Sequence, residues 1–353
     1  MTATPTATSA PEAPATRRGS GVATTLLVAA VLLVAVVASL AIGPRALPPS
    51  VVLDALTAFD PTNPDHLVVT EVRLPRTVVG LLAGLALGPA GVLAQGLTRN
   101  PIAEPGILGL NTGAALAVVL AIGLLGIRSL TAYVWFGFLG AGLAAVIVAG
   151  VAGIGRSGTV SRGATSPATL ALAGAALTAG LGSVTTAILL TDPDAFEDYR
   201  FWQVGSLAGR DLGIAGQAAP FVLAGLAVAL LCGPTLNALA LGDDVARSFG
   251  RRVERDRAVC GIALVVLAGS ATAVAGPIAF VGLTVPHLVR VLTGPDHRRL
   301  LPVSALVAPT LLLVADVVGR VVASPREVQV GIVTAVLGAP VFIWFVRRKR
   351  FVR

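Results

Sequence analysis

The sequence predicts an all-α polytopic membrane protein with about ten transmembrane helices, and three observations carry that prediction. Hydrophobic residues make up 55% of the 353-residue chain and charged residues 12%, with a mean hydropathy of +0.86; soluble domains carry roughly a quarter charged residues. The apolar residues fall into repeated runs near the ~20 residues that cross a hydrocarbon core. Charge collects at the ends of those runs, as the positive-inside rule requires.

The first run, Thr24–Gly43, follows Arg17 and Arg18. At about 20 residues it exceeds the 7 to 15 of a cleaved signal core, so it reads as a retained helix. The second, Thr77–Thr98, carries Gly80, Gly84 and Gly88 on one helical face, a spacing that admits a neighbouring backbone. An Arg99-Asn100-Pro101 turn separates it from the third, Gly106–Ile127. The fourth and fifth, Leu130–Ile154 and Ala168–Thr191, flank a loop holding Arg156 and Arg162, and the fifth ends at the acidic run Asp192, Asp194, Glu197 and Asp198. Ile214–Gly233 is the sixth. The seventh and eighth, Ala258–Ala275 and Pro277–Leu292, are parted only by Gly276-Pro277 and read either as a tight hairpin of crossings or as one kinked helix. In the ninth, Leu300–Ala323, Asp316 and Arg320 stand four residues apart and can pair. Gln329–Val346 is the tenth.

With a cytoplasmic N-terminus, the inside segments collect most of the 26 basic residues, and both termini are cytoplasmic. Residues 1–23 then form a disordered cytoplasmic tail, 24–346 the ten-helix domain, and 347–353 a basic cytoplasmic tail. Residues 234–257 form a cytoplasmic loop with Asp243, Asp244 and five arginines, too polar for lipid. It reads either as a docking surface or as a solvated loop that enforces topology.

The formal charge of +8 forms no basic face with interleaved aromatics, which disfavours nucleic-acid binding. Cys232, Cys260 and the three histidines offer neither a disulfide framework nor metal-ligand spacing. His287, at a helix end near Arg290, reads as a locally hydrogen-bonded side chain. The single lysine, Lys349, lies in the C-terminal tail, so the chain holds no GxxxxGK[ST] phosphate loop and no candidate catalytic residue. Ionisable groups inside the spans are scarce, which disfavours an ion-coupled transporter or a channel.

Six blocks in order carry a resemblance: RLPRTVVGLLAGLALGPAGVLAQ at 73–95, RNPIAEPGILGLNTGAAL at 99–116, FWQVGSL at 201–207, LGDDVARSFG at 241–250, GPIAFVGLTVPHLVRVLTGPDHRRLLP at 276–302, and ADVVGR with PREVQVGIVTAVLGAPVFIWF at 315–345. The chain resembles the FecCD-type permease subunits of ATP-driven importers for ferric siderophores, haem or cobalamin. The resemblance implies a cobalamin-importer-like permease fold in the bacterial cell membrane, non-enzymatic and without a cofactor or metal of its own. It implies a second permease subunit, two cytoplasmic subunits that bind ATP and Mg, and an extracytoplasmic substrate-binding lipoprotein as partners. Ferric siderophore is the first expected substrate, and haem, cobalamin or a secondary transporter are the alternatives. By the same resemblance, Gly242, Asp244, Ala246, Arg247 and Gly250 couple to the ATPase, and Asn100 and Ile102 lie at the cytoplasmic gate. Thr178, Ser183, Thr185 and Thr186 line the pathway, although Ser166-Pro167-Ala168-Thr169 departs from the hydroxyl-rich run expected on that helix. Arg73, Arg76 and Arg320 are expected to dock the binding protein.

Overall fold

A computed structural model describes residues 19–127, 129–154 and 167–347. The expected N-terminal tail through residue 18, Arg156, Arg162, Ser166 and residues 348–353 with Lys349 lie outside the described residues. Among the described residues every regular element is helical. The chain runs through α1 (Gly19–Ala41), α2 (Pro49–Thr57), α3 (Pro64–Leu67), α4 (Leu74–Thr98), α5 (Leu110–Gly123), α6 (Leu130–Ile154) and α7 (Pro167–Thr191). It continues through α8 (Pro193–Gln203), α9 (Leu212–Leu231), α10 (Gly233–Ala240), α11 (Asp243–Ser248), α12 (Val253–Ala275), α13 (Val281–Thr293), α14 (His297–Val322) and α15 (Val330–Arg347). Seven of these runs are long and apolar enough to cross a membrane, and α5, α13 and α15 are shorter apolar helices.

The glycine spacing of α4 does what its period suggests. A Cβ at Gly84 would stand 2.2 Å from the Pro309 Cα, and one at Gly88 would stand 2.3 Å from the Ser304 carbonyl oxygen. Gly80 faces Leu313, so α4 and α14 run antiparallel with their backbones in contact. A Cβ at Gly91, on another face, would stand 2.0 Å from the Gly282 carbonyl oxygen, so the missing side chain seats the start of α13 against α4. Lipid supplies no hydrophobic drive for this association, so close packing of small residues has to hold it. Replacing Gly84 by leucine is therefore expected to cost more than the about 1 to 3 kcal/mol of ordinary overpacking. It should abolish the monodisperse peak in detergent gel filtration. Gly216→Leu, where a Cβ meets nothing within 4 Å, should elute as the native protein does. A native profile for G84L would contradict this contact.

Two expected crossings are shorter than the sequence suggests. The third begins as a 3-10 turn at Pro105–Leu108 and becomes α-helical only at Leu110. The seventh and eighth are neither a tight hairpin nor one kinked helix: Gly276, with φ 74°, ends α12, and residues 276–280 run without helix before α13 starts. At 13 residues, α13 spans about 20 Å, less than the ~30 Å core. Irregular backbone at this depth is tolerated only inside protein or along an aqueous cavity. Ile278 is buried, and Pro277 lines a cavity.

Both described chain ends lie at the end of the molecule that carries α11. Gly21 faces Arg299 at the start of α14, and α15 starts beside Val204 at the opposite, α8 end and runs back.

Candidate functional site

At the α11 end, a two-residue link, Leu241 and Gly242, turns the chain from α10 into α11. The φ of 110° at Gly242, and 76° at Gly250 just beyond α11, are conformations that a side chain strains. A Cβ at either glycine meets nothing within 4 Å, so within this chain the two glycines serve backbone conformation and not close approach. Ala246 is fully buried in a small cluster with Leu239 and Val253. Asp244 is fully exposed, and Arg247 lies 3.2 Å from it and 3.0 Å from Glu254. Val245 and Phe249, four residues apart, form an exposed apolar stripe along α11 with Phe249 at 69% exposure, and Leu241, before the break at Gly242, is exposed as well.

Asp243, which the sequence marks only as one acid of the polar loop, holds α11 in place. It accepts hydrogen bonds from Arg99 at the end of α4 and, at 2.9 Å, from Arg257 in α12. Arg99 also donates to the Leu239 carbonyl at 2.8 Å. One carboxylate thus ties the short helix to two of the long ones. An acid inside an arginine-rich loop was the available signal.

The turn after α4 is shaped by Asn100, whose side-chain oxygen accepts the Ile102 N–H at 3.1 Å. Ile102 is half exposed. Two residues on, Glu104 accepts the Phe280 N–H at 2.9 Å, joining this turn to the start of α13. Burial pushes the Glu104 carboxyl above the usual carboxylate range, against the opposing pull of that N–H. Gln95 extends the tie by donating to the Leu283 carbonyl and accepting from Arg290 at 2.7 Å. His287 turns to its own helix, with Nδ1 2.9 Å from the Leu283 carbonyl oxygen.

Between α5, α7, α8 and the irregular segment at Pro277 lies a cavity of about 450 Å³. Thr178, Thr185 and Thr186 line it together with Asn111, Thr112 and Gln203. Thr185 and Thr186 donate their hydroxyl hydrogens to the carbonyls of Leu181 and Gly182, at 2.8 and 2.9 Å, which leaves their oxygen lone pairs as acceptors. Ser183 is not among the lining residues; it is exposed and donates to the Ala179 carbonyl. Only 11% of the apolar window of α7 is buried, against 83% for the run containing α4. α1 is equally uncovered, and its large exposed side chains are leucine and valine, whereas the open side of α7 carries Thr178, Ser183 and Thr186 beside Leu172, Val184 and Leu190. A hydroxyl-bearing open face suits a protein or aqueous neighbour better than lipid.

The arginines at the α8 end bond within this chain. Arg73, Arg76 and Arg320 are 4%, 5% and 2% exposed, and each side chain turns inward. Arg73 donates to the carbonyls of Leu40, Ala41 and Arg45. Arg76 makes a two-pronged contact with Asp316, at 2.8 to 3.1 Å, and pairs with Glu327 at 2.6 Å. Arg320 donates to the Ser39 carbonyl at 3.0 Å, with its Nε 3.2 Å from Asp316. A buried guanidinium needs a counter-charge or dense hydrogen bonding; Asp316 and Glu327 supply the charge for Arg76, Asp316 supplies it for Arg320, and three carbonyls receive Arg73. Beside this cluster, Arg76, Trp202, Arg210 and Glu327 line a cavity of about 340 Å³.

Ten apolar helices among the described residues, with an irregular break between α12 and α13, a hydroxyl-lined cavity on an open face and a short clamped helix at one end, define a membrane transport subunit. The profile of the FecCD transport family matches residues 31–348, and the chain belongs to that family. It is 48% identical over 319 residues to the ferric enterobactin transport system permease protein FepD of Escherichia coli (strain K12), covering 90% of this chain and 93% of that one. It is 40% identical over 318 residues to the probable siderophore transport system permease protein YfiZ of Bacillus subtilis (strain 168), with the same coverages. A solved structure described as an inward-facing metal-chelate type ABC transporter aligns with a TM-score of 0.79 at 27% identity, over 93% of this chain and 99% of that chain.

Proposed function

We propose that this chain is the permease half of a binding-protein-dependent importer for ferric siderophores. The single observation that carries the coupling half of this reading is α11. It is clamped through Asp243 to α4 and α12, and it presents Leu241, Val245 and Phe249 to the outside. Such a stripe on a short helix fits a cleft in a separate cytoplasmic ATPase, which binds ATP and Mg. Asp244 and Arg247 flank it as polar contacts, while Gly242, Ala246 and Gly250 set its pose. The α11 end and both termini are then cytoplasmic. A second permease subunit covers the open face of α7, so that Thr178, Thr185 and Thr186 line a shared pathway, with Ser183 at the subunit boundary. Asn100 and Ile102 form the cytoplasmic gate, linked through Glu104 to the break before α13.

At the α8 end a substrate-binding lipoprotein docks on a rim whose shape is held by the Arg73, Arg76 and Arg320 cluster. Siderophore as substrate rests on the enterobactin and siderophore permeases among the relatives. Uptake of a radiolabelled ferric siderophore by cells that carry this permease with its cognate partners tests that choice. Uptake should disappear on deletion of the chain and return with the wild type. Accumulation of haem or cobalamin alone would assign the other substrate class.

The pathway assignment makes a separate prediction. Replacing Gly182, which lines the threonine cavity, by tryptophan is expected to cut uptake at least about tenfold without changing the amount of inserted protein, because the indole fills the space. Native uptake in G182W would move the pathway elsewhere.

A further inference from the structure

A second large cavity, of about 630 Å³, lies between the α11-end halves of α4, α6 and α12, apart from the threonine cavity and from the α11 stripe. Its walls are apolar, and small residues hollow it out: Ala145 and Gly142 on α6, Ala258 and Gly261 on α12. Val146 and Ile262, also in its lining, are 69% and 64% exposed, so the groove opens sideways from the helix bundle. In a bilayer that direction leads into acyl chains.

One end of the groove carries charge. Glu254 there is engaged by Arg247 at 3.0 Å. Arg257, at 22% side-chain exposure, gives one nitrogen to Asp243, and its buried Nε finds no acceptor in the protein. Around it, residues 251–257 hold four arginines, at 251, 252, 255 and 257, against the two acids Glu254 and Asp256. A cation with an unused donor thus sits at the membrane boundary, at the head of an apolar groove.

We propose that this groove binds an anionic phospholipid of the leaflet at the α11 end, with one acyl chain along the groove and the headgroup phosphate at Arg257. Charge complementarity selects the headgroup. A zwitterionic lipid brings its own cation to an already cationic rim, whereas an anionic one does not. A single arginine near an anionic lipid surface supplies about a fivefold preference. Because the same guanidinium holds Asp243, the bound headgroup also adjoins the clamp of α11.

The test uses the purified full chain equilibrated in detergent with equimolar phosphatidylglycerol and phosphatidylcholine of identical acyl chains, with retained lipid counted by native mass spectrometry. The wild type is expected to retain phosphatidylglycerol about fivefold over phosphatidylcholine. Arg257→Gln should bring the ratio near one, and Arg257→Lys should keep the preference. Gly261→Leu, whose added Cβ meets nothing within 4 Å, should fill the groove and lose retained lipid of both kinds. Gly142→Leu fills it from the α6 side, again with no atom within 4 Å of the new Cβ. Equal retention of the two lipids by the wild type, an undiminished preference in R257Q, or wild-type lipid counts in both filled variants would overturn the proposal. None of these readouts depends on what the transporter carries.

Discussion

Replacing Asp316 by asparagine is expected to destabilise the protein by about 3 to 5 kcal/mol, the cost of leaving a buried ion pair without one partner. Asp316 is fully buried and takes two bonds from Arg76 while standing 3.2 Å from Arg320. Asparagine keeps the volume but leaves two guanidinium groups facing each other, with only Glu327 on Arg76 to offset them. The partners lie on α4 and α14, so the repulsion falls on two helices whose backbones are in contact. Cys232 and Cys260, free and buried, supply the readout, because a thiol-reactive dye labels them only as the protein opens. D316N should label at much lower temperature than the wild type. Arg45→Ala, which removes an exposed pair with Asp65, should shift stability by no more than about 1 kcal/mol. Matching melting curves for D316N and wild type would remove the ion cluster from the stability of the bundle.

Replacing Asp243 by asparagine is expected to leave membrane insertion native and to reduce ATP-driven uptake at least about tenfold. Hydrogen bonds to charged groups contribute about 1.5 to 3 kcal/mol each, and about 1.4 kcal/mol is a factor of ten in rate. Asp243 accepts such bonds from Arg99 and Arg257, and both slacken when its charge is removed. The short helix can still sit in the ATPase, yet it no longer moves as one body with α4 and α12. ATP hydrolysis with reduced transport is the expected signature, and Arg99→Gln should show it in milder form. Full uptake in D243N would show that α11 transmits motion by another route.

These two carboxylates also mark where sequence reading reaches its limit. Apolar runs of crossing length announce themselves one by one, and the fourth run, Leu130–Ile154, coincides with α6 at both ends. The third and eighth were overextended at their starts because Pro105–Gly109 and Gly276–Phe280 stay apolar or small while leaving the helix, and hydropathy does not register that departure. Arg76 reads as a boundary charge from its neighbours alone. Its burial depends on Asp316, 240 residues away. The clamp on α11 likewise joins Arg99 to Asp243 across 144 residues. The family resemblance singled out Thr178, Ser183, Thr185 and Thr186 on α7. That three of them share one cavity and Ser183 does not line it depends on the placement of α5 and α8.

The central claim is that this chain moves its substrate only when a separate ATPase acts on α11. Proteoliposomes holding the chain with its paired permease and ATPase subunits, supplied with ATP inside the compartment facing α11 and with substrate-loaded binding protein on the other side, test it directly. Substrate should accumulate only when ATP, ATPase and binding protein are all present, and D243N should hydrolyse ATP with little accumulation. Accumulation by the chain alone, driven by an ion gradient and indifferent to ATP, would contradict the account.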